Sequence, residues 1–458
     1  MNLRARLRTT SAAWTAPIWV GIVVFYFFYA LHLEDPYEEV IAGPLWGPQQ
    51  VARSLFYFYV FAYAITCGLA VWEGGRLKRD GVWNLAPGRS RYRVAAHTLA
   101  PVIAAGWLVL GLPVVMRLIE TRLLPTPQAL APLLFGMGLV VAWAVIGCAL
   151  GHITPRLISA PLSAVVVYYM ITETGQVEPV WLRHVSGAPD TSLDFGEQYK
   201  ALTLLVPFLF TASVAVAVAV WWLPAARAVQ LGVRASTATA ALVVMVLCAN
   251  AASGWGYGNG PISAGHAPTR CTGTAPRVCI AETGGAAGRL GQVRSEIVRS
   301  VTELREAGVN VTMPERVSDS LLTGRRKNPS TQAVWWLPLS QQAGKNGPGM
   351  ISVRYGVLLS SVKFPCSFPS SFDAGQSADW VVNHDAAMLW AALLVDADKP
   401  YVAWRQSEYG SAFQNAEQVL AKVDQRANDA RRLSPAKQGA WFEAEQAKAC
   451  RLAQEGAR

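Results

Sequence analysis

Every long apolar run in this chain lies before residue 254, and no other feature constrains the fold more. The clearest runs are Ala13–Leu33, Leu55–Trp72, Ala95–Met116, Gln128–Leu150 and Ala201–Leu223. A run of about 20 apolar residues, wound as a helix, reaches across the hydrocarbon core of a bilayer. Two shorter runs, Ile158–Thr172 and Ala235–Asn250, also contain no charged side chain. An Arg, Lys or Asp at the centre of a span costs about 2.5–3.5 kcal/mol, so charge-free runs are informative. Seven helical spans are expected, with no buried charge in them to mark an ion or proton route. The first run follows Arg4, Arg6 and Arg8, as a signal peptide would. Its apolar core is longer than a secretory h-region, and no convincing small-x-small cleavage site precedes Glu34, so it reads as a retained anchor.

Charge then sets an orientation. With the N-terminus inside, the inner segments 1–12, 73–94, 151–157 and 224–234 hold twelve Arg and Lys. The outer loops 34–54, 117–127 and 173–200 hold five, together with most of the acidic residues of this half. That is the positive-inside pattern. The net charge of +10 therefore has a topological origin, and no nucleic-acid partner is needed to explain it. The expected location is the plasma membrane, multi-pass, with the last domain outside the cytoplasm.

Residues 1–254 form the expected transmembrane domain. Residues 255–270, rich in Gly, Ser and Pro, read as a linker. Residues 271–458 read as an α+β extracytoplasmic domain of about 190 residues, enough to bury its own core. Helices are expected at Arg289–Ala307, Ala378–Val395, Ala412–Val423 and Pro435–Ala453, and strands at Ala333–Leu339 and Met350–Leu359. Cys67, Cys148 and Cys248 fall in spans, where a thiol behaves as a small apolar group. Cys271, Cys279, Cys366 and Cys450 all lie beyond the last span. An even number outside the cytoplasm permits disulfides, in any of three pairings. A local Cys271–Cys279 loop with a Cys366–Cys450 tie is the favoured one; four reduced, buried thiols is the alternative.

Catalytic constellations are missing from the sequence. His266 and His384 are the only histidines after residue 254, short of the three or four ligands a zinc site takes. His384-Asp385 reads as a surface pair near a helix start. Ser360, Ser361 and Ser370 lack a Gly-x-Ser-x-Gly context. Asn310-Val311-Thr312 matches a glycosylation sequon, a tripeptide common by chance. A P-loop needs Gly-x-x-x-x-Gly-Lys-Ser/Thr; Gly344-Lys345 is followed by Asn346, with Leu339 where the first Gly belongs. No enzyme, no metal site and no nucleotide site of its own is expected.

The most informative segment joins the second and third spans: WEGGRLKRDGVWNLAPGRSRYRVAAHTLA, residues 72–100. On its own it fits a short amphipathic element, or a basic loop touching anionic headgroups. Its order of Glu73, Arg76/Arg79, Gly81, Val82–Leu85, Pro87 and Ser90–Arg91 resembles the first cytoplasmic loop of ABC-2 type ABC transporter permeases. The Gly147–Pro161 stretch, GCALGHITPRLISAP, resembles the small-residue hairpin between spans 4 and 5 of actinobacterial members. Val278-Cys279 resembles the start of their Cys-bearing extracytoplasmic domain. The common domain of that family has six spans, one fewer than expected here.

The resemblance implies a permease subunit that couples ATP hydrolysis on a separate cytosolic P-loop ATPase to substrate movement. ATP and Mg would be held by that partner, with no cofactor on this chain. The docking loop would comprise Glu73, Arg76, Arg79, Asp80, Trp83 and Arg91. A homodimer or a paralogous permease, in the lipid bilayer, would complete the path. The alternative is a membrane-anchored receptor or sensor with an extracytoplasmic ligand-binding domain.

Overall fold

The computed structural model describes residues 10–32, 45–82, 90–174, 177–189, 192–221, 227–256, 260–282, 286–326, 328–339, 349–366, 379–409 and 416–456. They fall into two compact units, one ending at His266 and one beginning at Ala267.

The first unit is helical: α1 (Ser11–Trp14), α2 (Ala16–His32), α3 (Gly47–Phe56), α4 (Phe58–Arg79), α5 (Arg91–Thr121), α6 (Pro127–Ile153), α7 (Arg156–Glu173), α8 (Trp181–Val185), α9 (Ala201–Val220) and α10 (Arg227–Ser253). Among the described residues, four helices (α5, α6, α9 and α10) are long and apolar enough to cross a membrane. The pair α3–α4, bent by 48°, makes a fifth if it counts as one span. The first and fifth of the seven expected runs are helices, but short ones: α2 has 17 residues and α7 has 18. The seventh is longer than expected, because α10 starts at Arg227 and its apolar stretch has 25 residues. Prolines 101, 113, 132, 161 and 207 sit inside these helices. Spans tolerate them because neighbouring helices satisfy the freed backbone.

Helix α4 is the hub of this unit and packs against α5, α6 and α7. Phe58, Tyr59, Ala62, Tyr63, Ala70 and Val71 are all buried along it. Two of its buried hydroxyls find backbone acceptors: Tyr59 donates to Pro132 O (3.2 Å) and Tyr63 to Gly187 O (3.0 Å). Glycines let the backbones touch. A Cβ on Gly147 of α6 would stand 2.5 Å from Cys67 O, and one on Gly68 of α4 would stand 3.0 Å from Ala160 O of α7. Gly74 and Gly151 would likewise overlap backbone atoms of the facing helix. Gly147-x-x-x-Gly151 places both small residues on one face, the geometry of close helix pairs in membranes.

The stretch expected as a linker is partly structured. Strand β1 (Gln198–Tyr199) pairs antiparallel with β2 (Ile262–Ser263). Lys200 N donates to Pro261 O (2.9 Å) and His266 N to Gly196 O (3.1 Å). Two residues are enough to form a rung, and a Gly- and Pro-rich composition conceals them.

The second unit is α+β. A four-stranded sheet has the order β3 (Thr269–Thr272), β4 (Arg277–Ala281), β5 (Arg316–Asp319), β6 (Val334–Leu337); β3–β4 is antiparallel and the others parallel. Helices α11 (Leu290–Glu306) and α12 (Gly349–Ser361) pack together, and α12 also lies on β6. Helices α13 (Asp379–Leu394), α14 (Asp398–Tyr409), α15 (Ala416–Arg431) and α16 (Pro435–Gly456) complete the unit. Its core joins Val278, Ile280, Ile297, Val317, Trp335 and Val357 to Trp390 and Phe442. Trp390 meets Phe442 at 5.2 Å between ring centres. Both favoured disulfides are present, Cys271–Cys279 across β3–β4 and Cys366–Cys450 with a sequence separation of 84.

One expected strand is a helix. Within Met350–Leu359, Ile351 to Val357 alternates apolar and polar residues, but α12 covers it. Val353 and Val357, four apart, suit either period. Arg354 decides: it ion-pairs with Glu296 on α11 and with Asp396 (2.8 Å), fixing the helical face.

Candidate functional site

Helix α4 ends in Trp72-Glu73-Gly74-Gly75-Arg76-Leu77-Lys78-Arg79. Arg76, Lys78 and Arg79 occupy its last turn, where cations favour the negative end of the helix dipole by about 0.3–1 kcal/mol each. The helix stops at Asp80 and Gly81. Asp80 N bonds Arg76 O (2.9 Å) and Gly81 takes φ +62°, the left-handed conformation that glycine adopts without strain.

The side chains divide into a buried and an exposed set. Glu73 is fully buried. Its Oε1 accepts from Ser11 N (2.9 Å) and Ser11 Oγ (2.7 Å), and its Oε2 pairs with Arg76 (3.3 Å). The carboxylate thus holds the start of α1 against the end of α4. Glu73 belongs to the interior of the bundle and offers no surface for docking, contrary to its expected place in a loop. Arg76 is one-third exposed, so solvent screens its pair and holds that ion pair's contribution to at most about 1 kcal/mol. Arg79 and Asp80 are exposed and pair with each other at 3.2 Å. Arg91, exposed, opens α5. Trp83 and Leu85 to Arg89 lie outside the described residues.

The start of α7 meets the same end. Arg156 stacks over the Trp72 ring, 4.7 Å from its centre, and a Cβ on Gly75 would stand 2.6 Å from Arg156 Cβ. Such a cation–π contact is worth about 0.5–1 kcal/mol where exposed and more where dry. Three chain segments, from α1, α4 and the start of α7, are therefore locked at one end of the hub helix.

A second buried charge lies in α5. Arg117 is 9% exposed; its Nε donates to Gln50 Oε1 of α3 (2.8 Å) and its Nη1 pairs with Glu120 (3.1 Å). Both Glu73 and Arg117 had been placed in loops by the apolar runs. Their helices run on past those runs, to Arg79 and Thr121.

In the second unit, His384 lies within α13. Its Nδ1 is 2.8 Å from Asp385 Oδ1, and its ring stacks on Phe364 with centres 4.4 Å apart. Asp385 is fully buried and also accepts from Tyr401 OH (3.1 Å). The pair is thus tied into the core, not placed on the surface. Among the described residues no group of three His, Cys, Asp or Glu could hold a metal ion.

The sequence reading missed Ser11 and the glycine contacts. Gly147-x-x-x-Gly151 was the available signal for the latter; nothing local marked Ser11 as the partner of Glu73, 62 residues away. Comparison of the chain with known protein families, with curated proteins and with solved structures finds no match.

Proposed function

We propose that this chain is the permease subunit of an ATP-driven transporter of the ABC type. The observation that carries the reading is the cation-rich end of α4, the helix on which α5, α6 and α7 all pack. A partner that grips this end would move three other helices through one rigid element. The resemblance of residues 72–100 to a permease coupling loop supplies the kind of partner: a cytosolic P-loop ATPase pair that binds ATP and Mg. Arg76, Arg79, Asp80, Arg91 and Trp83 would make the contact, with Glu73 acting from beneath through Arg76.

Counting α2 and α7 with the longer helices, and α3–α4 as one, gives seven spans. An odd number puts the 267–458 unit on the side opposite the N-terminus. The Arg and Lys excess in segments 1–12, 73–94, 151–157 and 224–234 supports a cytoplasmic location for the α4 end. Two disulfides suit an oxidising compartment for the other unit.

The test is purification of the tagged chain from its native host, with mass spectrometry of what accompanies it. A stoichiometric P-loop ATPase is expected. Charge reversal at both Arg76 and Arg79 should release that ATPase; the chain should still fold, with its thermal melt lowered by the lost Arg76–Glu73 pair. Recovery of the chain without any ATPase, or unchanged recruitment by the double variant, would refute the reading.

A further inference from the structure

The second unit carries a cleft of about 490 Å³ between α13, α15 and α16. Asn383 lies on α13, Lys422, Gln425, Arg426 and Asp429 on α15, and Lys448 on α16. Val382 and Leu452 add an apolar wall. On α15, Lys422, Arg426 and Asp429 follow at i, i+4 and i+7, so a single face of the helix lines the cleft. A volume of this size is in the range that holds small molecules, which is about 300–1,000 Å³.

A row of Lys and Arg on a helix is most often a solvated surface. Two features set this one apart. Arg426 is fixed from beneath: its Nη1 donates to Asn383 Oδ1 (2.6 Å), itself 2% exposed, and its Nη2 pairs with Glu445 Oε1 (3.2 Å). A guanidinium has five N–H donors in a planar fork, so donors remain after these two contacts. The lysines are the second feature. Among the described residues, neither Lys422 nor Lys448 forms an ion pair. Glu445 is engaged by Arg426, and Asp429 makes only a long, exposed pair with Arg432 (3.5 Å). With Lys422, Arg426 and Lys448 against Asp429, the concave wall keeps a net positive charge, which focuses field on whatever enters it.

We propose that this cleft binds a phosphate ester attached to a short apolar body. Arg426 is the pre-set fork, Lys422 and Lys448 close on the anion from two helices, and Val382 and Leu452 meet the apolar part. Pre-setting Arg426 lowers the ordering cost of binding. Burial pushes the Glu445 carboxyl up from its ordinary value, against the opposing pull of Arg426 and Lys448. The site does not depend on the transport reading, since it is built within the second unit alone.

The same chemistry could come from a free phosphate ester or from a lipid headgroup, and the experiment separates them. The full chain in phosphatidylcholine nanodiscs is titrated calorimetrically with glycerol 3-phosphate, and separately with dihexanoyl phosphatidylglycerol below its micelle concentration. Saturable binding of at least one probe is expected. Binding of the soluble ester identifies a free ligand; binding of the lipid alone identifies a headgroup. Lys422→Glu with Lys448→Glu should weaken the bound probe at least tenfold, and Arg451→Glu, exposed on α16, should not. If the double variant does not fold, Lys422→Ala and Gln425→Ala, both at exposed positions, carry the test, each with a threefold or greater loss. No binding of either probe, or equal binding by wild type and variants, would overturn the proposal.

Discussion

Gly147→Ala tests whether backbone contact at the α4–α6 crossing holds the membrane unit together. The new Cβ would stand 2.5 Å from Cys67 O and 3.0 Å from Ala70 Cβ. A carbon and a carbonyl oxygen normally approach no closer than about 3.3 Å. The helices would have to separate by roughly 0.8 Å, and a backbone oxygen cannot rotate aside as a side-chain tip can. Overpacking costs about 1–3 kcal/mol, and rigid partners place this case near 3. Replacing Gly by Ala inside a helix returns about 1 kcal/mol. A net loss of about 2 kcal/mol follows, or roughly 4–8 °C in melting temperature for a unit of this size. Gly111→Ala is the control, because its Cβ would meet only Met137 Cε, at 3.9 Å. It should melt at or slightly above the wild-type temperature. The assay is a thermal melt in detergent followed by size exclusion. A Gly147→Ala protein as stable as the Gly111→Ala protein would refute the crossing as described.

Two further outcomes follow from the structure. Glu73→Gln keeps an acceptor for Ser11 but loses the charge, and should cost about 1 kcal/mol in the same melt; Glu73→Ala strands the Ser11 donors and should cost about 3. Equal melts for the two variants would count against the Ser11 contacts. Removing Cys366–Cys450 by double serine substitution should destabilise the second unit by about 4.6 kcal/mol on the chain-entropy relation, against about 2.6 for Cys271–Cys279. Denaturant titrations giving the reverse order would contradict the difference in loop length.

The membrane half was the legible half of this sequence, because a bilayer demands a continuous apolar helix and the apolar runs say where one is. Their ends were not legible. Helix α4 continues beyond Trp72 through Glu73 to Arg79, and the buried Glu73 depends on Ser11, which only folding brings near. In the second unit, α11 was readable from the stripe Leu290, Val293, Ile297, Val301 and Leu304. Strand β5 was not: it is Arg-Val-Ser-Asp, and its Ser318 and Asp319 are fully buried despite their polarity. Helix α14 gave no clear periodicity, with Arg405 buried and held to Asp424 of α15 (2.7 Å). Of the expected docking residues, Arg79, Asp80 and Arg91 are exposed where the sequence placed them. Of the cleft, no trace was visible, since its walls come from three separate helices that only folding brings together.

The β1–β2 rung has a mechanical consequence. The chain leaves α10 at Ser253, then pairs at Ile262–Ser263 with the residues that lead into α9. Tension applied at Ala267 therefore reaches the Lys200–Pro261 and His266–Gly196 hydrogen bonds before it reaches α10. The load enters the bundle at the start of α9. A pull on the second unit would be felt first by α9, and would reach α10 only through the packing of these two helices until those few bonds have given way.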